Sequence, residues 1–252
     1  MLSRLFRQFL FALIHWAVNL LVAVQNVYQQ IWCSSSSESE VNQSDIKIIL
    51  ENMPKITKKL KHLVVQADTD HHSLADLARV VIWSLVAGIP YVSFYDITGE
   101  LKKNEEKLFH EVERYKKGIP GFIKWTRMPD LNGYTNGQQA HTVTVNIFTQ
   151  DDGRPVVAQC IQNIAEEKIS CPQNTRELTA QEFGGVLSSF YPSIPDPELL
   201  LYTGSFLCTY GALPWQIRLT EFVQLSIDHK VSVDSYVGAL YKYNKCDQRF
   251  GK

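Results

Sequence analysis

Residues 196–225 read DPELLLYTGSFLCTYGALPWQIRLTEFVQL, and this stretch decides how the rest of the chain is understood. It opens on Pro195-Asp196-Pro197, a turn signal, because each proline pushes the residue before it out of helical geometry. A short apolar run from Leu199 to Tyr202 follows, bounded by Thr203 and Gly204. That pattern predicts a buried strand ending in a glycine loop, where open α/β sheets bind ligands. Leu213-Pro214-Trp215-Gln216 then predicts a proline-started helical turn, and Thr220 to Leu225 alternates as a strand.

The spacing from Asp196 through Trp215 and Gln216 to Glu221 resembles the last conserved region of the cis-prenyltransferases. The charged positions of that region are changed. Tyr202 stands at the place of the family's first arginine, Phe206 at its glutamate, Cys208 at its second arginine and Tyr210 at its serine. A diphosphate site keeps its skeleton here and loses its cations. The LPWxIRLTExVxL block and a C-terminal QRxGK resemble one branch in particular, the accessory subunits of dehydrodolichyl diphosphate synthase, the Nogo-B receptor family. The resemblance covers roughly residues 60 to 252, a domain-sized share of the chain.

The first strand, His62 to Gln66, supports the same reading. In catalytic members it ends in an aspartate that holds magnesium, followed by a Gly-Asn-Arg loop that grips the allylic diphosphate. This chain has Gln66 at the aspartate position, then Ala67-Asp68-Thr69-Asp70. An amide does not replace a carboxylate on magnesium, and acidic side chains repel a diphosphate. Gln66, Tyr202 and Cys208 are therefore read as degenerate family positions, and no metal is assigned to this chain. Asp68, Asp70, His71 and His72 are expected to be solvated loop residues.

Strands alternating with helices predict an α/β fold with a mostly parallel central sheet flanked by helices, preceded by an N-terminal membrane helix. Ser73 with Asp76 forms a capping box for a helix whose apolar face runs from Leu74 to Leu85 and which closes at Gly88. Tyr91 to Tyr95 is the next strand. Glu100 survives from the family's following loop. Asn104 is read as the cap of a charged helix running to about Lys117, burying Leu108, Val112 and Tyr115. Gly118 to Ala140 reads as a long loop and Thr142 to Phe148 as a strand. Pro155 starts a helix to about Lys168, and Thr179 with Glu182 boxes a helix ending near Phe190. The last helix, Val233 to Lys245, is expected to bury Tyr236, Val237, Leu240 and Tyr241.

Ahead of the domain, Phe9 to Val27 holds 15 apolar residues among 19, long enough to span a bilayer. Gln8, His15, Asn19 and Asn26 fall on one face at helical spacing, suited to a partner helix or an interface. Residues 1–33 are read as a membrane anchor, spanning about 9–27, and 34–59 as a linker. CSSSSESEVNQS, residues 33–44, is too polar to bury. Lys55, Lys58, Lys59 and Lys61 form a basic cluster, read as a solvated face or a contact with anionic headgroups. Arg4 and Arg7 alone would place the domain in the lumen by the positive-inside rule. Lys47 and the later lysines pull the other way, and the family's charged isoprenoid diphosphates are cytosolic. The expectation is an endoplasmic reticulum membrane protein with its domain in the cytosol.

Composition excludes other classes. Formal net charge is −1, without the basic footprint of nucleic-acid binding. Five cysteines without a C-x-x-C argue against a disulfide framework or a zinc site.

The resemblance implies a non-catalytic but required subunit of a heteromeric synthase. That enzyme condenses isopentenyl diphosphate with farnesyl diphosphate to a long cis-polyprenyl diphosphate for dolichol synthesis and protein glycosylation. The catalytic partner would bind Mg2+, and this chain would be inactive alone. Its Arg249 and Gly251, the R-x-G motif, would reach the partner's active site and contact diphosphate, including isopentenyl diphosphate, at a shared site. An arginine offers a fixed fork of donors to phosphate oxygens, and a glycine lets the backbone approach closely. The alternative is a membrane receptor or lipid-binding protein that uses the emptied prenyltransferase pocket.

Overall fold

The apolar runs of the sequence form the strands of one sheet in the computed structural model. It describes residues 38–128, 141–166 and 178–247, together with Phe11, Trp16 and Leu20. The proposed membrane span, most of the Gly118–Ala140 segment and the tail carrying Arg249 and Gly251 lie largely or wholly outside the described residues. Among the described residues no helix is long and apolar enough to cross a membrane. The chain divides after Ser44 into two units, of which the second, Asp45–Lys252, carries the sheet.

The elements in chain order are α1 (Glu38–Asn52), β1 (His62–Ala67), α2 (Leu74–Ala87), β2 (Tyr91–Asp96), a short α3 (Glu100–Lys103) and α4 (Glu105–Lys116). They continue with β3 (Phe122–Trp125), β4 (Thr142–Thr149), α5 (Arg154–Ala165), α6 (Ala180–Ser188), β5 (Leu199–Thr203), β6 (Glu221–Ser226) and α7 (Val233–Lys245). The six strands lie in the order β3-β4-β2-β1-β5-β6. Every pairing is parallel. Parallel pairing forces crossovers over the faces, so the inner strands are buried on both sides and read as apolar runs.

Alternation along β1 divides the core. Leu63, Val65 and Ala67 join the larger cluster with α2, α4 and α7, where Trp83, Tyr236 and Tyr243 are almost fully buried. Val64 points to the other face, with Tyr95, Phe148, Leu200, Ala212 and Leu213. A third cluster, Cys160, Phe183 and Leu187, joins α5 to α6. Each fully buried aliphatic or aromatic side chain contributes about 1.5–3 kcal/mol, so the two faces of β1 and β5 carry much of the stability.

The local signals behave as their chemistry dictates. Ser73 accepts from the Asp76 N–H and Asp76 accepts in return from the Ser73 N–H, a complete capping box. Thr179 and Glu182 form another. Gly88 ends α2 at φ 72°, a left-handed position that a β-carbon disfavours. Asn104 sits at the start of α4, but its amide donates back to the Glu100 carbonyl, so it caps the end of α3 rather than the start of α4.

Several expectations are corrected. The linker read over 34–59 contains α1, because Ile48 and Ile49 follow the serine run and give a helix something to bury. Ile49 is fully buried, and Asp45 accepts from the Trp83 indole at 3.2 Å. Phe122–Trp125 is a strand within what reads as loop, pairing β4 at the sheet edge. The helix after Pro155 stops at Ala165 rather than Lys168. On α7 it is Tyr243 that is buried, while Tyr241 is half-buried with its hydroxyl donating to Asn52 at 2.9 Å.

Candidate functional site

β1 pairs with β2 on one side and β5 on the other. Chain order therefore reverses at β1, and the carboxyl ends of β1 and β5 form the switch point where α/β sheets place their ligands. The loops after β1, β5 and β6 meet there.

The loop after β5 is fastened across the strand ends. The Gln66 side-chain amide donates to the Cys208 carbonyl at 3.0 Å. The Tyr95 hydroxyl, from the end of β2, donates to the Tyr210 carbonyl at 2.9 Å. Gly153, beyond the end of β4, lies so close to the Gly211 carbonyl oxygen that a β-carbon there would overlap it. Tyr210 and Leu213 hold left-handed backbones at φ 49° and 38°, costing on the order of 1 kcal/mol each. The loop accepts this strain while its side chains turn outward: Phe206 is 84% exposed, and Cys208 is exposed too.

The three positions singled out in the sequence are thus brought to one end of the sheet, and they meet through neutral groups. Gln66 engages a backbone carbonyl, Cys208 supplies that carbonyl, and Tyr202 packs half-buried against the Val64 and Leu200 cluster. Glu100 is directed elsewhere, accepting from Lys103 at 2.6 Å.

The fit of magnesium at Gln66 can be tested on these contacts. Magnesium asks for anionic oxygen, and the Gln66 side chain offers a neutral amide already bound to protein. Asp68, two residues on, accepts from the Asp70 N–H at 3.1 Å and from His71 at 2.9 Å. Asp96, at the end of β2, is fully buried and accepts from Thr98 and from the Leu101 N–H at 2.7 Å. These residues do not fit a magnesium–diphosphate site.

The histidines depart from the sequence reading. His71 is exposed, but His72 is buried: its Nδ1 accepts from the Asp68 N–H at 3.1 Å and its Nε2 lies 3.4 Å from the Thr203 hydroxyl. Burial holds its pKa below the ordinary histidine value, outweighing the Asp68 and Asp76 carboxylates, which act the other way; His229 and His71 add smaller lowering effects. For Asp68, burial pushes the carboxyl up, but bonds from His71 and the Asp70 N–H outweigh it and hold the pKa low. His229, from the loop after β6, stacks on His71 with ring centroids 4.0 Å apart. Its Nδ1 bonds the Thr203 hydroxyl at 2.9 Å. Nothing in the local sequence couples positions 71 and 229; the parallel topology brings them together.

At the opposite end of β1, His62 is fully buried. Its Nδ1–H donates to the Pro195 carbonyl at 2.7 Å and its Nε2 bonds the Ser93 hydroxyl at 2.8 Å. Burial lowers its pKa to about 4. It borders a cavity of about 840 Å³ lined by Phe148, Leu187, Tyr191, Leu213 and Trp215 among others. Trp215 packs edge-on against Phe183 at 4.8 Å and leaves room only for glycine at position 184 without adjustment.

The segment leading to the tail is held by the basic cluster. Asn244 accepts from the backbone N–H groups of Thr57 and Lys58 at 3.0 and 2.8 Å. The Lys58 ammonium donates to the Cys246 carbonyl at 2.9 Å and sits over the Tyr243 ring. Lys58 is therefore a structural clamp, unlike the solvated face expected. Arg249 and Gly251 fall beyond the described residues.

No protein-family model matches the chain. It is 30% identical over 193 residues to the mouse (Mus musculus) dehydrodolichyl diphosphate synthase complex subunit Nus1, covering 75% of this chain and 64% of that protein. The Homo sapiens subunit NUS1 gives 30% over 193 residues, with 75% and 65% covered. The Schizosaccharomyces pombe subunit is 24% identical over 217 residues, 81% of each protein. The chain spans less than two thirds of the length of the two mammalian relatives. Among solved structures, lavandulyl diphosphate synthase from Lavandula x intermedia, in complex with dimethylallyl diphosphate, superposes with a TM-score of 0.52 at 14% identity. That match covers 77% of this chain and 99% of the other, and it shows a shared fold.

Proposed function

We propose, from its similarity to the Nus1-type subunits of dehydrodolichyl diphosphate synthase complexes, that this chain is the non-catalytic, required subunit of such a complex. The complex condenses isopentenyl diphosphate onto farnesyl diphosphate to make the long cis-polyprenyl diphosphate used for dolichol synthesis and protein glycosylation. The catalytic partner supplies the allylic pocket and the carboxylate that binds Mg2+. This chain supplies Arg249 and Gly251 to the partner's active site, where the guanidinium pairs with diphosphate oxygens. Phe9 to Val27 anchors it in the endoplasmic reticulum membrane with its domain in the cytosol.

The observation that carries the proposal is the Gln66 amide bound to the Cys208 carbonyl. A group that ends a strand at the switch point and is spent on closing a loop cannot also organise a metal and a diphosphate. The fold is retained; the chemistry belongs to another subunit.

Purification of the full chain from its own membranes tests this directly. The expected result is a stoichiometric second chain with a cis-prenyltransferase fold and an aspartate at the position equivalent to Gln66. Recovery of the chain alone, or only with unrelated proteins, would refute the assignment.

A further inference from the structure

Asp68, His71 and His229 converge at the carboxyl end of the sheet, each with a ligand atom within 4.8 Å of the others. We propose that these three side chains form a zinc-class metal site that clamps the loop after β1 to the loop after β6. The donor set selects the ion. Two imidazoles and one carboxylate suit zinc, with a fourth position open to water, whereas magnesium and calcium take oxygen ligands. A tetrahedral ion with bonds of about 2.0–2.1 Å needs its donors drawn together by roughly an ångström. His71 is stacked on His229 and bonded to Asp68, so it must leave that stack to turn a ring nitrogen to the ion, a rotation its exposed place on the loop after β1 permits.

The surroundings prepare two of the ligands. The contact between His229 Nδ1 and the Thr203 hydroxyl fixes the ring and leaves Nε2 as the ligand atom. The backbone of His229 is left-handed, at φ 59°, a conformation the loop imposes on a non-glycine residue. Gly204 lies against the ring, where a β-carbon would come within 3.3 Å of it. Asp68 has one oxygen steadied by the Asp70 N–H, while the other, now 2.9 Å from His71 Nδ1, turns to the ion. His72 already bonds the Asp68 N–H and supports the loop from beneath. A cavity of about 520 Å³, bordered by His71, His229 and Asp228, gives an ion and its water access from solvent. This site is separate from the Gln66 position, where the residues do not fit a metal.

Titration of the purified full chain in detergent with Zn2+ alone, against a chromophoric chelator, tests the site. One ion per chain is expected. His71→Gln and His229→Gln should each weaken binding about tenfold or more, and His110→Gln should leave it unchanged. Asp68→Asn, at a partly exposed position, gives a third variant should His229→Gln fail to fold. Zinc should also raise the wild-type Tm, with the rise lost in His71→Gln. Cobalt should give visible absorption bands of a tetrahedral site in the wild type and not in that variant. Absence of one-to-one binding, or binding that survives the His71 and Asp68 substitutions, would overturn the assignment.

Discussion

The Gln66 amide donates to the Cys208 carbonyl at 3.0 Å, joining the end of β1 to the loop after β5. Gln66→Glu keeps the shape and replaces the donor with a second acceptor facing that carbonyl. Its expected cost is about 1 kcal/mol near neutral pH, or roughly 2–4 °C in Tm for a domain of this size. Acidification should recover part of the loss, since a protonated carboxyl donates again. Thermal melts at pH 7 and pH 4.5, each against wild type, measure both effects.

Gly153 is tightly constrained by the same loop. A β-carbon there meets the Gly211 carbonyl oxygen, so Gly153→Ala must displace backbone and should cost about 1–3 kcal/mol. Gly185, within α6, has nothing within 4 Å of the equivalent position, and Gly185→Ala should stabilise by about 0.4–1 kcal/mol. Denaturant midpoints of the two variants should move in opposite directions.

His62 makes stability depend on pH. Its folded pKa, about 4, lies below the ordinary value of 6.5. Above pH 6.5 neither state holds the proton and nothing is lost. As pH falls from 6.5 towards 4 the unfolded chain takes up a proton that the folded chain refuses, so stability drops, by on the order of 3 kcal/mol in total. His72, also lowered, adds to the slope with the same sign. His62→Gln, which does not titrate, should be less stable at pH 7 but show a shallower decline to pH 5. Urea unfolding at the two pH values reads the difference.

Much of the framework was legible because its signals are local. Capping boxes at Ser73 and Thr179, the αL glycine at position 88 and the apolar runs of β1 and β5 each state their geometry within a few residues. α1 was hidden because a serine-rich, charged start masked the Ile46 to Leu50 run behind it. β3 was hidden because four residues after a glycine carry too little periodicity. In the site, Gln66, Tyr202 and Cys208 could be placed together through the resemblance of two separate segments. Their hydrogen bonding could not, nor could the meeting of His71 with His229, since both depend on which loops the sheet order makes neighbours.

Arg249 should matter to catalysis in the complex. If its guanidinium pairs with diphosphate in the partner's site, Arg249→Ala removes charge-assisted bonds worth roughly 1.5–3 kcal/mol, about one to two orders of magnitude in turnover. Arg249→Lys should recover only part, because an ammonium does not make the fork. Gly251→Ala should also lower turnover. All three complexes should still assemble on size-exclusion chromatography. Wild-type rates from an assembled Arg249→Ala complex would remove the tail from the mechanism.

Reconstitution of prenyl transfer from separately purified components tests the central claim most directly. With magnesium, isopentenyl diphosphate and farnesyl diphosphate, this chain alone should give no long-chain product. Added to the catalytic partner, it should raise product formation well above what the partner achieves alone. Sustained turnover by this chain without a partner, or a partner whose rate is indifferent to its addition, would contradict the account.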